Sequence, residues 1–136
     1  MPVLSLFKQP KKQKSRRSRL IKTLDDLMSK RVRERDSHRC RRCGRIGRVF
    51  HHHIFTKQRL STRWLMDNGV TLDFYCHRWA HSAGEEFRAW VISWMGQKEY
   101  DRLYLVSQMR GGFKETDLEW MIKDMRDEKI IEECGL

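Results

Sequence analysis

The spacing of apolar residues changes period several times along the chain, and each change marks an element. From Ser18 onward, Leu20, Ile21, Leu24, Leu27, Met28 and Val32 recur at three- and four-residue intervals. That spacing lays them on one face of an amphipathic helix ending at about Arg35. Its polar face is basic towards the end, with Lys30, Arg31, Arg33 and Arg35. Over residues 37–54 the helical period is lost. Gly44 and Gly47 mark tight turns there, and Val49, Phe50, Ile54 and Phe55 supply β-type residues for short extended segments. A polar loop over 56–69 closes on the turn sequence Asp67-Asn68-Gly69, and Val70 to Tyr75 reads as a second short strand.

Helical period then returns. His77 to His81 reads as a first helical turn. Ser82 with Glu85 predicts a capping box ahead of Phe87, Trp90, Val91 and Trp94, and Gly96 stops that helix. Residues 97–110 predict a further helix that buries Tyr100, Leu103 and Val106 before Gly111-Gly112 breaks the chain. Thr116 with Glu119 predicts a second capping box before Leu118, Met121, Ile122 and Met125. The Trp and Met residues of these helices read as core rather than as ligands, and no segment repeats. The expectation is one α+β domain over 18–136 behind a basic tail over 1–17. Its core lies at about 36–95, with helices over 97–134.

Composition adds two constraints. With 39% hydrophobic and 35% charged residues, only a modest core can form, and a structural metal is a common supplement at this size. No apolar run approaches the ~20 residues of a membrane span. The short apolar start, Val3 to Phe7, leads into basic residues instead of a signal-peptide core, so neither a membrane partner nor export is expected.

The net charge of +11 is uneven: residues 1–50 hold 17 Lys/Arg against 4 Asp/Glu, and residues 51–136 hold 12 against 14. Such asymmetry favours a polyanion gripped by one end of the molecule, nucleic acid first. An anionic membrane is the alternative, but the basic stretch lacks the apolar face of an interfacial helix. Residues 8–19 carry seven Lys/Arg and no acid. Lys11, Lys12, Arg16 and Arg17 are therefore candidate phosphate contacts with a steep salt dependence, the bland alternative being a solvated tail.

Four cysteines are present, Cys40, Cys43, Cys76 and Cys134. The C-x-x-C pair, with no export signal, points to metal or redox chemistry rather than to disulfides. A thioredoxin-like pair would want a βαβ context, whereas this one is embedded in Arg41, Arg42 and Arg45, which favours zinc. Five of the six histidines fall between positions 51 and 81. A lone histidine reads as a surface or core residue, but such clustering is hard to obtain from packing, since histidine is a poor core residue.

The order Cys40-x-x-Cys43, His51-His52-His53-Ile54, Asn68 and Cys76-His77-Arg-Trp-Ala-His81 resembles the HNH (ββα-metal) endonucleases. The likeness is greatest to the zinc-containing phage-type members that include the NinG/Rap recombination endonucleases. HHHIF, STRW-x-x-DNG-x-TL, CHRWAH and EEFRAWV carry it, over about residues 36–110. It implies a hairpin and a helix around one catalytic metal, with a zinc knuckle beside them. It maps the general base to His53 and metal ligands to His52, His77 and His81. Asn68 would be the residue that holds the base-bearing loop, a role compatible with a plain turn Asn before Gly69.

Geometry supports this mapping. Neighbours on an extended segment diverge, so His52 and His53 can serve metal and water separately, while residues four apart on a helix share a face. His51 should face away from His52 and is assigned no role; His38 is surface or DNA-facing. The resemblance also implies a second C-x-x-C, but position 73 is Asp. A carboxylate can ligate zinc, so Cys40, Cys43, Asp73 and Cys76 are the expected set, with weaker binding than four thiolates. Completion by Cys134, or no zinc, are the other outcomes.

What the resemblance implies is one-metal hydrolysis of DNA phosphodiester bonds, leaving 5′-phosphate and 3′-hydroxyl ends, in bacterial cytoplasm from a phage or prophage gene. An all-imidazole set suits Mn, Ni, Co or Zn at least as well as Mg, and activity should rise with pH through ~6.5. Lys57, Arg59, Arg63 and Arg78 are candidate phosphate contacts, whereas Trp79 should pack in the core. Paired cuts on duplex DNA would need a homodimer. Two rival readings are a nuclease specific for branched DNA and a non-catalytic zinc-finger DNA-binding module, the latter leaving the histidine arrangement unexplained. RNA is not excluded by charge.

Overall fold

Ser15 opens the first helix by accepting the Ser18 backbone N–H at 3.2 Å, so α1 spans Arg16–Arg35 and begins two residues before the apolar period does. The computed structural model describes residues 10–134, with side chains to residue 128. Val3 to Phe7 and the Cys134 side chain lie outside them. Arg16 pairs with Glu115 and Glu119, and Arg17 donates to the Phe113 carbonyl. These two arginines of the expected basic tail thus dock on the chain itself, Arg16 on its last helix and Arg17 on the segment just before it.

Two strands, β1 (Val49–His53) and β2 (Gly69–Asp73), pair antiparallel with His51 opposite Thr71 and His53 opposite Gly69. The strand expected to reach Tyr75 stops at Asp73, because Asp73 Oδ1 accepts the Cys76 N–H at 2.8 Å and so caps the next helix. Helix α3 therefore runs Phe74–Ser82 and starts three residues before His77. The loop between the strands is less irregular than expected, holding a short helix α2 (Leu60–Arg63) and a 3-10 turn over Met66–Asn68.

Three more helices follow, α4 (Gly84–Met95), α5 (Gln97–Ser107) and α6 (Glu115–Cys134). Gly96, at φ 91°, separates the first two in a conformation that glycine adopts without strain. Neither predicted capping box forms. The Ser82 hydroxyl instead donates back to the carbonyls of Arg78 and Trp79, because α3 extends to Ser82 itself. Thr116 lies inside α6, and Asp117 accepts the Lys114 backbone N–H at 2.7 Å, so the cap forms two residues upstream. Trp120 and Met109, expected in the core, are exposed.

The hairpin packs between α1 and α3, and α6 covers the outer side of α1. One apolar cluster, with Leu72, Val91 and Phe87, lies between the hairpin and helices α3–α5. A second, with Leu24, Val32, Trp64 and Leu118, lies between α1 and α6. Strand β2 is buried at every position as a result. Asp36, just past α1, ties the layers together by accepting from Arg35, Arg41 and the Thr71 backbone N–H. Burial pushes its carboxyl pKa up, but these hydrogen bonds outweigh burial and hold it below the usual carboxylate value. Among the described residues no helix is long and apolar enough to cross a membrane.

Candidate metal centres

The two-residue period of β1 decides which imidazoles meet. His51 and His53 project towards α1, with ring centroids 4.3 Å apart. Phe50 and His52 project to the other face, towards α3. On α3, His77 and His81 stand one turn apart and their rings lie 4.6 Å from each other. The His52 ring completes a triangle at 5.1 Å from His77 and 4.9 Å from His81. One ligand nitrogen from each of the three lies within 4.8 Å of the others, so the group could hold a metal ion.

The electrostatics suit a cation. Burial, then repulsion from His77 and His81, lowers the His52 pKa to about 3. Burial, then His81, lowers that of His77. Both rings are neutral at pH 7, with lone pairs available for ligation. Phe87 closes the inner side, its ring 4.9 Å from that of His52. The outer side opens into a cavity of about 640 Å³ whose walls include His52, His53, His77, His81, Lys57 and Arg88.

His53 is therefore in the same cavity but outside the triangle. Burial lowers its pKa, against a raising influence from Asp25 and a hydrogen bond to the Arg63 backbone. Asp25 is held by Arg63 at 2.7 and 3.0 Å and by the Trp64 indole N–H at 2.9 Å. Asn68 is wholly buried. Its side chain accepts the Phe55 N–H at 2.8 Å and donates to the Phe55 carbonyl at 3.0 Å, which ties down the backbone just after His53.

His51, given no role from sequence, sits behind His53 with a buried Nε2 that finds no hydrogen-bond partner. Burial lowers its pKa to about 4. Gly69 makes room for it, since a Cβ there would lie 2.7 Å from His51 Nε2 and from Val32.

The second group is Cys40, Cys43, Asp73 and Cys76, whose ligand atoms also lie within 4.8 Å of one another and could hold a metal ion. Gly44, at φ 77°, allows the tight turn in which its N–H bonds the Cys40 carbonyl at 2.8 Å. Asp73 serves twice, because Oδ1 caps α3 while Oδ2 accepts from the Cys43 thiol at 3.1 Å. Burial pushes the Cys76 thiol up to about 12. Burial also works to raise Cys40, but the N–H groups of Cys43, Asp73 and Arg42 outweigh it and lower its pKa. Three thiols and a carboxylate fit a thiophilic divalent ion. Arg42 donates to the Cys76 sulfur at 3.6 Å and stacks 3.6 Å over Trp79. Arg45 lies 3.8 Å from Asp73 Oδ2. Both offset the negative charge that such a donor set accumulates.

Of the expected phosphate contacts, Lys57, Arg59 and Arg78 are exposed, as are Lys11 and Lys12. Arg63 is instead committed to Asp25. Asp25, Arg42 and His51 were not picked out from the sequence. Arg42 had a local signal, being inside the C-x-x-C, but the Asp25–Arg63 contact spans 38 residues and had none.

Comparisons of the chain with protein-family models, with curated proteins and with solved structures return no match. The fold and its clusters define an α+β chain built on a two-stranded hairpin, carrying two groups of residues able to hold metal ions.

Proposed function

We propose that this chain is a metal-dependent nuclease of the HNH kind that hydrolyses DNA phosphodiester bonds. The observation that carries the reading is the three-histidine cluster sharing a cavity with a fourth imidazole, His53, which lies outside the cluster beside His51. In this reading His52, His77 and His81 hold a divalent ion, and the cysteine cluster holds a structural zinc. An ion held there would supply positive charge to stabilise the charge that grows on the phosphate in the transition state. His53, neutral, takes a proton from water as the water oxygen attacks phosphorus; the bond to the 3′ oxygen breaks, and that oxygen is protonated from solvent. Asn68 keeps His53 aimed by fixing the backbone at Phe55. Lys57 and Arg88, on the cavity walls, attract the phosphate.

Supercoiled plasmid incubated with Mn2+ or Mg2+ tests this. Wild type should nick it, and His53→Ala should lose about 10²–10⁴ of the rate while keeping its metal and its DNA affinity. A His53→Ala chain that cuts at the wild-type rate would remove the base from the account.

A further inference from the structure

The outer face of α3 carries rings that neither apolar cluster absorbs. Phe74 is 52% exposed and Tyr75 66%, although both open a helix whose inward positions are buried. Phe50 on β1 is 38% exposed and its ring stands 6.0 Å from His77. Scattered single exposed rings are ordinary. Here Phe74 and Tyr75 adjoin one another at 5.6 Å, and each of these two has a guanidinium nearby. Arg78 lies 5.7 Å from the Phe74 ring and Arg45 lies 5.5 Å from Tyr75.

Their position relative to the histidines matters most. Phe74, His77, Arg78 and His81 follow the i, i+3, i+4, i+7 spacing, so they form one stripe along α3. Phe74 is thus about one helical turn, roughly 5.4 Å, from His77. The segment 37–66, which includes Phe50 and Arg45, holds eight Lys/Arg and no Asp or Glu. Exposed rings flanked by arginines, beside a candidate phosphate site, match how proteins hold unpaired bases. Rings stack on the bases while cations follow the backbone. A continuous duplex keeps its base faces covered by their neighbours and offers nothing to stack on.

We propose that Phe74, with Tyr75 and Phe50, stacks an unpaired base of the strand whose phosphate reaches the His52–His77–His81 cluster. The preferred substrate class is nucleic acid with an unpaired nucleotide beside the scissile phosphate. This rests on the reading of the histidine cluster as a phosphodiesterase centre.

Fluorescence anisotropy with a labelled oligonucleotide, as single strand and as duplex of the same sequence and at fixed salt, tests the assignment. Using His53→Ala protein keeps the strand uncut. Single strand should bind more tightly than duplex. Phe74→Ala with Tyr75→Ala should weaken single-strand binding about fivefold to a hundredfold and leave duplex binding unchanged, and Phe74→Trp should retain it. Because these side chains are exposed, the melting temperature should not move.

Equal loss on both ligands, or no loss on either, overturns the proposal. So does sedimentation showing that the double substitution splits a dimer, which would assign the rings to a second copy of this chain. Single-strand binding that follows the expected pattern in a wild-type chain that never cuts would support the stacking surface and remove only the hydrolase.

Discussion

Helix α3 carries part of both candidate metal centres. Asp73 and Cys76 at its start belong to the cysteine cluster, and His77, one residue later, begins its contribution to the histidine cluster. Adjacent residues on a helix project about 100° apart, so a single helix start serves two different environments. In the cysteine cluster only Cys43 is exposed, and arginines cover the charge. In the histidine cluster only His52 is buried, and the open side leads into the cavity that His53 shares. A four-donor site with three of its donors buried suits a structural ion, whereas a three-donor site with an open side leaves room for water and substrate. Chemistry and access differ together, and on that contrast rests the proposal that one centre serves stability and the other reaction.

The largest way to break this contrast is Cys76→Ser. A structural zinc contributes about 10–16 kcal/mol in small domains, as much as the whole stability of a typical fold. Loss of the cooperative thermal transition is expected, and a variant that melts like wild type would show that the cluster holds nothing structural. His77→Ala should do the opposite. On the proposed function cleavage should fall at least about a hundredfold, because a cation held there would supply several kcal/mol of charge stabilisation. Its melting temperature should stay within a few degrees of wild type.

Asp36→Asn should follow in size, costing about 3 kcal/mol because it breaks a buried charge network. Urea titration would read this. The pH dependence has a definite sign. The folded carboxyl lies below its ordinary value, so its stabilisation is complete above the unfolded value of ~3.9 and is lost as pH falls through the folded one. Wild type should therefore weaken below about pH 4 more steeply than Asp36→Asn. The smallest expected effect is Gly69→Ala, where the added methyl meets His51 and Val32 at 2.7 Å. Overpacking of this kind costs about 1–3 kcal/mol, and the shift of His51 against His53 should appear as a slower turnover with unchanged metal content.

The membership of both clusters was legible in the sequence because each is encoded locally, by C-x-x-C, by consecutive histidines on a strand and by histidines four apart on a helix. Asp73 could be placed through the resemblance, whose second C-x-x-C would begin three residues before Cys76. Local motifs misled where longer-range structure had already determined the helix. Ser82 and Glu85 look like a cap, but Asp73 starts α3 early and the helix consumes Ser82. Partners distant in sequence left no trace in it. Asp25 reaching Arg63 and Trp64, and Arg16 and Arg17 reaching Glu115 and Phe113, depend on how α1 lies across the other elements, which no short spacing encodes. The exposed rings of α3 also read as ordinary β- and helix-forming residues until their faces were known.

Metal stoichiometry measured alongside cleavage, on one zinc-loaded preparation titrated with Mn2+, tests the central claim most directly. The account predicts that one zinc per chain stays bound throughout, and that plasmid cleavage rises and saturates with one further ion, an ion that His77→Ala fails to take up. Saturable cleavage that survives loss of His77, or a second bound ion with no cleavage at any concentration, would contradict it.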